Sequence, residues 1–192
     1  MGYGVAGWFA VSAWLAAKGP DADGVTTGIA ATGAAVIAGY AGSVVALSLA
    51  GVPKAKNLES GAQALASARG FSARARTRGE LLASMRLAAE VVAIPAAVLA
   101  LVCALLSYEK DAAALVPIAG AAVFGLVAAL VIGGVAFACR RWAAARPRMT
   151  LLAAVVLPWV VGNALFLDRG GEYASIPGLL AWSFRLLTGG LG

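Results

Sequence analysis

Five long apolar runs, at about residues 2–17, 25–52, 81–107, 113–139 and 150–167, alternate with short polar segments along this chain. A bilayer core of roughly 30 Å takes about 20 apolar residues in a helix rising about 1.5 Å per residue. Four of the runs have that length, and the first, about 16 residues from Gly2 to Ala17, is marginal. The runs are continuous rather than alternating, which excludes the strands of a spanning barrel. The expected fold is all-α: one membrane domain over 1–192, a polytopic helix bundle of about five transmembrane helices. The first run lacks the basic start of a secretory signal and the arginines of a transit peptide, so it is expected to stay in the mature protein. The mean hydropathy of +0.88 agrees with a bilayer as solvent.

Charge sets an orientation. The segment 53–80 carries Lys54, Lys56, Arg69, Arg74, Arg76 and Arg78 against Glu59 and Glu80, and the connection after Ala138 carries Arg140, Arg141, Arg146 and Arg148 with no acid. The remaining connections hold Lys18, Lys110 and Arg169 beside Asp21, Asp23, Glu109, Asp111, Asp168 and Glu172. The positive-inside rule puts the two basic segments inside, with the N-terminus inside and the chain after Leu167 outside. The tail 175–192 starts with Ser175-Ile-Pro177 and stops at Gly189-Gly190, which fits a short interfacial or re-entrant helix with an apolar surface of Leu179, Trp182, Phe184, Leu186 and Leu187.

Within 53–80, Asn57–Ala68 fits a short surface helix, and Arg74, Arg76 and Arg78 follow at alternate positions. These arginines are either a topology anchor or contacts for anionic lipid or an acidic partner. No aromatic interleaving or recognisable module points to nucleic acid.

The second run repeats small residues every fourth position, from Ala30 through Ala34, Ala38, Gly42 and Ala46 to Ala50, with Ala31, Ala35, Gly39 and Ser43 alongside. Such positions stack on one helix face. In lipid, helices associate through close approach of small residues, so the strip is expected to contact another helix, in this chain or in another membrane subunit of a homo- or hetero-oligomer. A pore-lining role is the alternative. Gly120-Ala-Ala-Val123 echoes Gly33-Ala-Ala-Val36, as a parallel duplication of helix pairs would.

Glu90 asks for a chemical reading, since it falls well inside the third run. Intramembrane carboxyls mark proton or ion pathways by default. Arg86, four residues earlier on the same face, gives the other reading: the two neutralise each other while Arg86 snorkels toward the inner surface. Pro95 frees the Val91 carbonyl and is expected to kink the helix beside Glu90. A Gly- and Ala-rich helix followed by Arg86-Leu-Ala-Ala-Glu-Val-Val-Ala-Ile94 resembles the hairpin of rotary-ATPase proteolipids, and the resemblance implies ion translocation through Glu90. The long basic connection, the missing dense GxGxG spacing and the absence of a carboxylate in the fifth run depart from that pattern.

With no histidine, His-ligated haem or metal and Ser-His-Asp or Cys-His nucleophiles are excluded. There is no P-loop and no acidic cluster for Mg²⁺, so neither enzyme, cofactor nor metal site is expected. Cys103 falls near the outer end of its run and Cys139 at the inner end of the next, too far apart to pair, and both read as small buried residues. Two functional classes follow. One is a non-catalytic integral subunit or scaffold of a membrane assembly; the other is a small proton, cation or solute translocator built on Glu90, helped by Thr32 and Asn163.

Overall fold

The computed structural model describes residues 2–18, 22–50, 61, 64–65, 67–107, 112–142, 146–166 and 175–189. Among these, six helices and no strand carry the fold. They are α1 (Gly2–Ala16), α2 (Ala22–Val36, continued through Ile37–Ala41 and Gly42–Ala50), α3 (Ala73–Ala88, continued through Ala89–Ala93 and Ile94–Leu106), α4 (Ala112–Trp142), α5 (Pro147–Phe166) and α6 (Ile176–Leu187). Three stretches are long and apolar enough to cross a bilayer: Val25–Ala50, Ala73–Leu106 and Leu115–Trp142. Lys54, Lys56, Glu59, Asp21, Glu109, Lys110, Asp111, Asp168, Arg169 and Glu172 lie outside the described residues, as do the side chains of Asp23 and Asn163.

α3 begins eight residues before the expected boundary. Its sequence explains why: Ser72 is extended and its hydroxyl accepts from the Ala75 N–H, a helix cap, and good helix formers follow it. Arg74, Arg76 and Arg78 therefore sit on a helix rather than in a loop. The residues described just before, 61, 64–65 and 67–68, are helical and exposed. Gly70, at φ +76°, supplies the left-handed turn that separates them from α3.

α4 is the axis of the bundle and packs against α2, α3, α5 and α6, while α1 lies in the angle between α2 and α3. Small residues make this closeness possible. Gly42 on α2 fits against Ile132, and a Cβ on Gly125 would run into the Ala96 methyl group. A Cβ on Gly133 would lie 2.9 Å from the Met85 Cα, so α3 and α4 meet there almost backbone to backbone. Ile37, Val92, Ala96, Leu99, Ile118 and Phe124 fill the core between these contacts.

Both long helices α2 and α3 carry a π-helical turn, and the two turns pack against each other. The Gly42 N–H donates to the Ile37 carbonyl and the Ile94 N–H to the Ala89 carbonyl, each five residues back. On α3 the turn immediately precedes Pro95, which has no N–H for the Val91 carbonyl, so the expected kink takes the form of a π turn. Gly2 rests on that Val91 carbonyl, with Pro95 beside it. From there α1 runs toward Leu106, with Phe9 meeting Gly33 next to Leu99. The described part of α1 thus covers only the half of α3 beyond its π turn.

α6 packs lengthwise on α4. Leu187 packs on Gly120 and Phe184 on Phe124, the two rings 5.1 Å apart and edge to face, so successive turns of α6 follow α4 in the antiparallel sense. Ser175 caps its start by accepting from the Gly178 N–H. Leu179, Trp182 and Leu186 stay exposed on the far side, with the exposed Arg185 among them.

The α3–α4 contact makes a paired prediction. Gly133→Ala should destabilise the bundle by about 1–3 kcal/mol, because backbone must move. Gly134→Ala, whose Cβ would meet only the Met85 Cε at 3.9 Å, should be neutral or slightly stabilising. Unfolding in mixed detergent micelles measures both; equal losses would refute the close approach.

Candidate functional site

The small-residue strip on α2 divides in two. Ala34, Ala38 and Gly42 are buried against the chain's own helices, as a contact surface requires. Ala35, Gly39, Ser43 and Ala46, with the edges of Ala38 and Gly42, form one wall of a cavity of about 430 Å³. Its other walls come from α4 (Phe124, Val131, Ile132, Val135), α5 (Leu151, Val155) and α6 (Ile176, Pro177, Leu180, Ala181, Phe184), residues whose convergence no sequence pattern announces. The lining is almost wholly apolar. Its one hydroxyl, that of Ser43, already donates to the Gly39 carbonyl. The groove can therefore hold an aliphatic group by van der Waals contact but presents nothing to orient a hydrophilic solute. Thr32 is exposed and does not line it.

Glu90 does not line this groove either. It lies on the π turn of α3 and accepts from the Arg86 Nε at 2.8 Å, so the pairing expected from the i, i+4 spacing is present. The engaged Nε sets Arg86 toward Glu90 rather than free to snorkel. The pair faces away from its own bundle, its side chains 82% and 45% exposed. Leu82 and Ile94, four residues to either side, are exposed on the same stripe.

A third feature is the basic end of the bundle, where α2 ends and α3, α4 and α5 have their arginine-bearing termini. Arg148 at the start of α5 donates from Nε to the Leu47 carbonyl at 3.3 Å. That carbonyl belongs to the last turn of α2, where carbonyls lack helical partners and a cation is favourable. The bond ties α5 to α2 across 101 residues of sequence. Arg74 and Arg78 meet Arg141 of α4 around a shallow recess, while Arg76 lines an adjoining one with Glu80 and Arg141. Arg141 was legible only as an inner-loop charge; its meeting with Arg74 and Arg78 follows from the antiparallel pairing of α3 and α4.

Cys103 and Cys139 are free and buried, in separate parts of the core. Among the described residues no group of three or more Cys, Asp or Glu side chains could hold a metal ion. The chain matches no family model, no curated protein and no solved structure.

The two sides of the divided strip separate experimentally. Ala34→Leu inserts bulk into a buried contact away from the groove and should destabilise by about 1–3 kcal/mol. Gly39→Leu points into the groove and should cost well under half as much. Detergent unfolding of the two variants tests this, and the reverse order would contradict the assignment of the faces.

Proposed function

We propose that the chain is a non-catalytic integral membrane subunit whose Arg86–Glu90 face is covered by another membrane chain. The observation that carries this reading is the outward orientation of an ion pair deep within an apolar helix. Glu90 is twelve residues, about 18 Å, along α3 from Arg78, and the arginines 78, 140, 141, 146 and 148 mark one boundary of the apolar zone. A guanidinium has five N–H donors, and Glu90 engages the one on Nε. Hydrocarbon supplies no acceptor for the others, whereas a neighbouring helix can. Buried polar groups of this kind also fix which partner docks, and in which register.

The orientation proposed is the one the charges favour: α2 to α5 cross, with the arginine-bearing ends on the inner side and the residues after α5 outside. Five crossings would need α1 to reach the inner face as well. With Gly2 against Val91, the described part of α1 is a short helix on the outer half, in place of a fifth crossing from an inside N-terminus. The open groove beside α2 is a second surface for close contact, in keeping with a scaffold rather than a solute pathway.

Translocation through Glu90 is the competing reading, favoured by its place on a π turn, since such turns recur at functional positions. The two readings diverge experimentally. As a subunit, the chain extracted in mild detergent should migrate as a complex. Glu90→Gln should release it as a monomer that stays helical, because the carboxylate no longer balances Arg86. Adding Arg86→Leu should restore part of the assembly. A wild-type protein that is monomeric in every mild detergent, or a proton or cation flux in vesicles that Glu90→Gln abolishes without changing oligomer size, would overturn the subunit reading.

A further inference from the structure

We propose that the recess formed by Arg74, Arg78 and Arg141 binds the phosphate of an anionic phospholipid. The inference rests on the membrane reading, with the basic end at the inner headgroup level. Its first support is convergence. Arg74 and Arg78 lie one turn apart on α3, Arg141 comes from the last turn of α4, and together with Ala73 and Thr77 they border an open, shallow recess. No carboxylate lines this recess, and none of the three guanidiniums has an ion-pair or hydrogen-bond partner among the described residues. Glu80 lies in the adjoining recess and closes no ion pair with them. Like charges gathered this way repel one another, and an anion between them reverses the sign of the interaction.

The second support is the position of the arginines on α3. Arg74 lies in the first turn of the helix, which holds no acid, and there the positive end of the helix dipole disfavours a cation. A topology anchor alone would do as well on a loop or at a helix C-terminus. Guanidiniums match phosphate through paired N–H donors. Thr77 adds little, since its hydroxyl donates to the Ala73 carbonyl.

A lipid, rather than a soluble phosphate, is indicated by the surroundings. Trp142, next to Arg141, is 85% exposed, and Phe71, just before the Ser72 cap, is 56% exposed. Exposed aromatic rings beside arginines, at the point where the apolar run of α4 ends, are what the headgroup level of a bilayer accommodates.

The full chain in mild detergent, titrated with phosphatidylglycerol and followed by native mass spectrometry, tests the proposal. Phosphatidylglycerol should be retained and phosphatidylcholine not. Arg141→Gln should weaken retention about fivefold, and Arg74→Gln with Arg78→Gln further, whereas Arg185→Gln, at the other end of the molecule, should change nothing. Arg141→Lys, which keeps the charge but loses the paired donors, should fall between wild type and Gln, and circular dichroism checks that each variant is folded. Equal retention of phosphatidylcholine, or an equal loss with Arg185→Gln, would overturn the site. Displacement of phosphatidylglycerol by millimolar inorganic phosphate would reassign it to a soluble anion. Release of the protein from membranes by alkaline carbonate would instead defeat the membrane reading itself.

Discussion

Close backbone approach along α4 is the constraint on which the bundle depends. Hydrocarbon gives helices no hydrophobic reason to associate, so what holds them is contact area, and contact area between helices is set by how near their axes come. Gly125 and Gly133 bring α3 onto α4, Gly42 brings α2 against Ile132, and Gly120 receives the Leu187 carbonyl at the end of α6. Remove the small residues and the long apolar helices would remain helices, because their backbones have no other way to satisfy their polar groups in lipid. They would lose the reason to form this bundle rather than another.

The polar groups follow from that arrangement. Among the described residues the buried polar groups are Ser and Thr and none is charged, and the ion pair within a candidate span is turned outward. The π turn at Ala89–Ala93 contributes by rephasing the helix at Glu90 and leaving the Val91 carbonyl for Gly2 to cover. At the basic end, the pairing of α3 with α4 gathers arginines 67 residues apart in sequence, and Arg148 closes the last turn of α2.

Much of this was legible in sequence, for identifiable reasons. Continuous apolar runs specify helices at this length, and the spacing of Arg86 and Glu90 offered their pairing as one of two readings. Ala34, Ala38 and Gly42 declared a contact face through their fourfold repeat. Other features were hidden. The repeat could not tell that Gly39 and Ser43 would face a groove, because that depends on where α5 and α6 come to rest. Alternating arginines read as loop, and only the Ser72 cap reveals that they belong to α3. The π turns have no composition of their own; Pro95 marks one, and nothing marks the other. The half-length span of α1 along α3 was equally invisible, since length says how far a helix reaches but not where it starts.

On the subunit reading, the stripe Leu82, Arg86, Glu90 and Ile94 on α3 touches another protein rather than lipid. Photo-crosslinking in native membranes, from a diazirine side chain placed at Leu82 or Ile94, tests it most directly. A covalent adduct with a second polypeptide at both positions, absent from a control probe at the exposed Leu179 of α6, is the expected result. Adducts with lipid alone at Leu82 and Ile94 would contradict it.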